Sequence, residues 1–211
     1  ASSAAVSADT PGTPDSGQTT ATTGQATGQA TGQTTATASP GATMQAVPTE
    51  EFRANTFTTY TQNEPSVASI GGGQHVVVWQ SQYQGASQGI SGHDWTYDIY
   101  GQVFSAAGTP VGKEFMVNSH QSSNQYTPSV ASLDDGGFIV SWRDDSGHGD
   151  GSSYDIRGRR YDISGEALAD EFLVNTQTSG KQYEPSVASL DNGGFVVSWR
   201  DDSGGSHGGS G

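Results

Sequence analysis

The chain has 211 residues, room for one or two domains, with no cysteine and a formal net charge of -14 from 8 basic and 22 acidic residues. Without cysteine there is neither a disulfide scaffold nor a cysteine zinc site, and so acidic a chain is a poor match for nucleic acid or an anionic membrane surface. Thirty glycines and only 14% charged residues favour strands joined by tight turns over helices, and no apolar run approaches the roughly 18 residues of a membrane span.

Residues 1–50 contain no aromatic residue and no Lys or Arg, while 13 of the 50 are Thr and 11 are Ala. The start Ala1-Ser2-Ser3-Ala4-Ala5 would suit a mature end left by signal cleavage. Further on runs a short repeat, Thr23-Gly24-Gln25-Ala26-Thr27-Gly28-Gln29-Ala30. Such a segment buries too little apolar area to offset chain entropy, so it is not expected to fold alone. It reads either as a linker or stalk, or as a strand that orders against a partner. Thr34-Thr35-Ala36-Thr37-Ala38 has the β propensity for the second role.

Residues 51–211 repeat. Glu51-Phe52-Arg53-Ala54-Asn55 matches Glu114-Phe115-Met116-Val117-Asn118 and Glu171-Phe172-Leu173-Val174-Asn175. Pro65-Ser66-Val67-Ala68-Ser69-Ile70 recurs from Pro128 and from Pro185, and the run ending in Trp79 recurs at Trp142 and Trp199. The second and third copies are 57 residues apart; six extra residues after Gln80 lengthen the first. Each copy reads as four short strands, here named by their sequences: SVAS, FVVSW, DIxGxxY and EFxVN. Asp135-Gly136 and Asn192-Gly193 supply tight hairpin turns. The FVVSW strand, apolar or small on both faces, belongs in a sheet packed between two neighbours. The DIxGxxY strand, with Arg157, Arg159 and Arg160, looks nearer an edge.

Serial four-stranded antiparallel units of this kind predict an all-β protein of tandem propeller-like blades, with β-sandwich repeats as the alternative. The expected division is a low-complexity segment at 1–50 and a repeat domain at 51–211. The latter comprises a lone strand at 51–56, units at 65–119 and 128–176, and a partial unit at 185–211. The third unit lacks its last two strands, while Glu51, Phe52, Ala54 and Asn55 form a last strand without a unit. Strand complementation between copies would resolve both, using those residues, the Thr34–Ala38 stretch and the sheet of Phe195, Val197 and Trp199. Such a contact is head to tail and gives a ring or a filament. A piece cut from a longer array accounts for the same phase.

The quoted motifs resemble repeats of large secreted bacterial surface proteins of the calcium-binding, RTX-type adhesin kind. The run Pro185-Ser186-Val187-Ala188-Ser189-Leu190-Asp191-Asn192-Gly193-Gly194-Phe195-Val196-Val197-Ser198-Trp199 also resembles a sialidase-like propeller blade. The resemblance covers residues 51–211 and implies an extracellular or cell-surface bacterial location. Family members tend to be long arrays; no RTX nonapeptide run is present here.

Three sets of residues are candidate sites. Asp144, Asp145, Asp150, Asp155, Asp201 and Asp202 lie in Gly-rich loops that offer calcium the oxygens it needs, or serve as solvated acidic turns. Tyr83, Trp95 and Tyr97 suit contact with surface glycans, or pack over the rim of a blade. Arg143 and Arg200 follow Trp142 and Trp199, as in a sialidase arginine cluster, but paired aspartates follow each and favour salt bridges. No nucleophile elbow or phosphate loop is present. The chain is therefore expected to be an assembling structural protein and not an enzyme. A calcium- or glycan-binding adhesin module is the alternative, and a hydrolase fragment a remote one.

Overall fold

The computed structural model describes residues 52–84, 96–120, 123–147, 154–178 and 180–202, together with the backbone of residues 2–5. The architecture is all-β, with antiparallel pairing throughout the named strands. The strands are β1 (Ser2–Ala5), β2 (Gln62–Ser69), β3 (His75–Gln82), β4 (Tyr97–Phe104), β5 (Pro110–Met116), β6 (Gln125–Ser132), β7 (Phe138–Asp144), β8 (Asp155–Tyr161), β9 (Phe172–Leu173), β10 (Gln182–Ser189) and β11 (Phe195–Asp201). They form three sheets, ordered β2-β3-β4-β5, β6-β7-β8-β9 and β1-β11-β10. The β2-β3, β4-β5, β6-β7 and β10-β11 hairpins close through short Gly-containing turns. Gly136, at φ 89°, closes the turn from Leu133, whose carbonyl accepts its N–H at 3.0 Å.

The sheets pack face to face in series. Along β7 the side chains alternate: Phe138, Val140 and Trp142 join the first sheet's Val76, Val78 and Ile99 in one core. Ile139, with Ile156 of β8, joins Val187, Phe195, Val197 and Trp199 of the third sheet in a second core. The middle sheet is thus buried on both faces, so the arrangement is not a two-sheet sandwich. Phe195, Val197 and Trp199, expected to serve assembly between copies, are instead spent inside the chain against the middle sheet.

The DIxGxxY strand is not at an edge: β4 and β8 are each third of four. Its arginines mislead because Arg157 is neutralised in place. Its Nε bonds Asp144 at 2.5 Å and its guanidinium reaches Glu171 at 3.5 Å, so the strand is buried despite its charge.

A β-bulge recurs in β2, β6 and β10, the SVAS strand of each sheet, between Asn63 and Ser66, Tyr126 and Ser129, and Tyr183 and Ser186. At each bulge the residue before proline is left-handed: Glu64 at φ 51°, Thr127 at 49° and Glu184 at 52°.

Candidate interaction site

Each joint between successive sheets is built from the same parts. The phenylalanine of an EFxVN segment packs on the next sheet: Phe115 lies 5.3 Å from Tyr161 and 6.3 Å from Phe138, and Phe172 lies 6.2 Å from Phe195. Phe52 does the same on the first sheet, 5.2 Å from Phe104 and 6.3 Å from His75. The glutamate of one copy accepts the backbone N–H that follows the asparagine of the copy before it. Glu114 accepts from Thr56, and Glu171 from Ser119 at 2.8 Å. Glu171 also bonds His120 Nδ1. Across the inner strands, Val130 N–H donates to Ser66 Oγ at 3.2 Å and Val187 N–H to Ser129 Oγ at 3.1 Å.

The asparagines fasten each sheet internally. Asn118 Oδ1 accepts Ile99 N–H at 2.8 Å while its Nδ2 donates to Asp98 at 2.9 Å. Asn175 treats Ile156 and Asp155 alike, at 2.7 and 2.9 Å. Among the described residues, Asn55 uses only Nδ2, donating to the Phe57 carbonyl and to Gln62. No described strand pairs with residues 52–56, which cover the first sheet without belonging to a sheet of their own.

In the middle sheet a buried polar chain runs from Trp142 Nε1 to Gln125 Oε1 at 2.9 Å, and from Gln125 Nε2 to Asp144 at 2.9 Å. Ser146, through both its N–H and its hydroxyl, and Arg157 also donate to Asp144. Burial is the largest single influence and pushes the Asp144 carboxyl up, but these donors together outweigh it and hold the group below the usual carboxylate range. In the first sheet Gln62 is turned away, donating to the Thr59 and Tyr60 carbonyls, and the buried Trp79 Nε1 has no partner among the described residues. A cleft of about 130 Å³ opens there between Asn55, Gln62, Pro65, Val77 and Trp79.

At the same end of the sheets the side chains form a ladder. Tyr97 packs tilted against Tyr126 at 5.3 Å, and Tyr154 meets Tyr183 edge to face at 5.4 Å. The Arg143 guanidinium lies between Tyr126 at 4.3 Å and Tyr154 at 4.7 Å, and Arg200 lies 5.2 Å from Tyr183. Arg143 Nε bonds Asp145 at 3.1 Å, the salt bridge anticipated for it. Burial pushes the Asp145 carboxyl up to about 6, more than Arg143 brings it down.

The sequence-derived candidates distribute as follows. Asp144 is filled by the donors named above, and Asp155 is held by Asn175. Asp202 accepts from Lys181 N–H at 2.8 Å, and Asp201 from Gln182 at 3.4 Å. Among the described residues no three His, Asp or Glu side chains converge as a cation site would require. Asp150, Trp95, Glu51 and the Thr34–Ala38 stretch lie outside the described residues. Tyr97 packs in the ladder and Tyr83 packs tilted against Tyr60 at 4.9 Å. The edge of β11 expected to take that stretch carries Ser2–Ala5 instead, with Ser2 opposite Arg200 and Ala5 opposite Val197. The asparagine joint was missed in the sequence, although Asn55, Asn118 and Asn175 are each followed seven residues on by Gln62, Gln125 and Gln182.

No family model and no curated protein matches the chain. A solved structure does: an endo-arabinase from Bacteroides thetaiotaomicron, with 16% identity and a TM-score of 0.43, over 68% of this chain and 52% of that one. The chain spans about half the length of the enzyme it matches. The expectation that this chain is not an enzyme is corrected on that finding, because the protein it is similar to is itself one.

Proposed function

We propose that this chain is a structural repeat protein of propeller-like blades that joins head to tail with copies of itself outside the bacterial cell. The sheet of β10, β11 and β1 in one copy is completed by residues 52–56 of the next. Support comes above all from Asn55. Its two counterparts, Asn118 and Asn175, use Oδ1 to hold the third strand of a sheet, whereas Asn55 spends only Nδ2 among the described residues.

The register gives Asn55 a target. Arg143 pairs with Ile156 across β7 and β8, and Arg200 pairs with Ser2 across β11 and β1. Ser2 therefore stands where Ile156 stands, and its N–H is the group that Asn55 Oδ1 of the next copy would accept. The third sheet has three strands and β1 at its edge, so a fourth can be added there. A contact between two different surfaces continues from copy to copy, into a ring or a filament.

Sedimentation velocity of the full chain over a wide concentration range tests this. A ladder of oligomers that Asn55→Ala weakens is expected. A single monomer species at every concentration overturns it.

A further inference from the structure

The two outer sheets also leave open the faces that the middle sheet buries. Val67 is 65% exposed, whereas its counterpart Val130 is 7% exposed against the first sheet. At the far side Val196 is only half-buried and Ser198 exposed, whereas their counterparts Ile139 and Ser141 are buried. These open faces are the two halves of one joint. The first is what a sheet presents to the sheet before it, and the second is what it presents to the sheet after.

Repeat equivalence then fixes the register of the contact. In the chain, Ser66 and Ser129 accept the N–H of Val130 and Val187; the next in line are Ser186 and Val67 of a second copy. Gln80 Oε1 accepts Thr127 N–H at 2.9 Å, so the residue after the tryptophan meets the residue before the proline of the following sheet. At the second joint the equivalent residues are Arg143 and Glu184, where Arg143 bonds Asp145 instead; one joint further on, between copies, they are Arg200 and Glu64. Both are exposed, and their charges are opposite in a chain with only 8 basic residues.

Resting on the head-to-tail reading above, we infer that the occupant of the Val67 face is a second copy of this chain, docked by its Val196 face with Arg200 paired to Glu64. Ser186 Oγ accepts Val67 N–H across the same contact. The third sheet of one copy and the first of the next thus repeat the joint already present twice within the chain. An intermolecular ion pair at the rim of an interface governs orientation and salt sensitivity more than bulk affinity.

The test is sedimentation velocity of the full chain at low and high salt, for wild type, Arg200→Glu, Glu64→Arg and the double variant, with thermal melts as a folding control. Each single reversal is expected to weaken association about fivefold or more, and the double reversal to restore it to within about twofold. High salt is expected to weaken the wild type and to relieve part of the single-variant loss. Association that is undiminished in both single variants overturns this pairing while leaving the head-to-tail reading in place. So does a double variant as weak as the singles. Absence of association in the wild type overturns both.

Discussion

Phe115 fills the space that a side chain at position 101 would need: a Cβ placed on Gly101 would lie 2.8 Å from the ring Cζ. Gly158 stands in the same relation to Phe172, at 2.9 Å. The glycine of each DIxGxxY strand and the phenylalanine of each EFxVN strand are thus one fitted pair across neighbouring strands, and the ring then reaches the next sheet. Gly101→Ala forces the ring off its partners Phe138 and Tyr161, a cost of about 1–3 kcal/mol by overpacking. Urea unfolding reads it as a lower midpoint at unchanged slope. A loss below about 0.5 kcal/mol would mean that the ring has room to move.

Asn118 is expected to matter more than its modest side chain suggests. Asn118→Ala leaves the Ile99 N–H and the Asp98 carboxylate, both buried, without the partners they have at 2.8 and 2.9 Å. The unpaired Ile99 N–H, together with the bond lost from Asp98, predicts a loss of about 1–3 kcal/mol. Asn175→Ala should cost a similar amount, because it breaks the same bonds one sheet on. Faster amide exchange at Ile99 and Ile156 would locate the damage. Protection equal to the wild type's would show that water substitutes for the amide.

Thr127 presents the opposite case. A β-branched residue at φ 49° is held in a conformation that costs roughly 1–2 kcal/mol, and its N–H, donated to Gln80, survives replacement by glycine. Thr127→Gly is expected to stabilise the chain by up to about 1 kcal/mol, although glycine elsewhere in a strand weakens it. A higher thermal midpoint would bear this out; a drop of several degrees would show that the Thr127 methyl packs better than the bulge strains.

The strands and their order were legible in the sequence because the repeat supplies three copies of every signal. Phe138, Val140 and Trp142 alternate with Ile139, and that alternation alone implies a sheet with neighbours on both faces. The interior placement of β8 was not legible. Three arginines read as an edge, and the buried carboxylates of Asp144, from β7, and Glu171, just before β9, make Arg157 tolerable inside. The pairing of Ser2–Ala5 with β11 was equally hidden, since four small residues carry no pattern of their own and gain their order from the edge they meet. Among the candidate residues, the partners of Asp144 were not legible for a related reason. Loop carboxylates look available in sequence, and hydrogen bonds to Ser146, Gln125 and Arg157 are properties of the folded neighbourhood.

Asp145 gives the chain a pH dependence of unusual sign for a carboxylate. Burial raises its folded pKa from 3.8 to about 6, more than the Arg143 ion pair lowers it. Between those two values the folded chain holds the proton that the unfolded chain has released. Stability from this residue therefore falls as pH rises through that window, and increases on acidification. Asp144 pulls the other way, its depressed pKa adding stability that is present above its ordinary value and lost as pH falls below it. Comparing the wild type with Asp145→Asn separates the two, because the amide oxygen of the variant can still accept from Arg143 and the amide does not titrate. At pH 7 the variant should be the more stable by about 1–2 kcal/mol, after discounting for the partial exposure of the pair. That advantage should be about half gone near pH 5, midway between 3.8 and 6, and vanish below about pH 3.5. Urea unfolding of both chains across this range is the measurement. Parallel curves would mean that Arg143, held between Tyr126 and Tyr154, compensates the carboxylate charge in full.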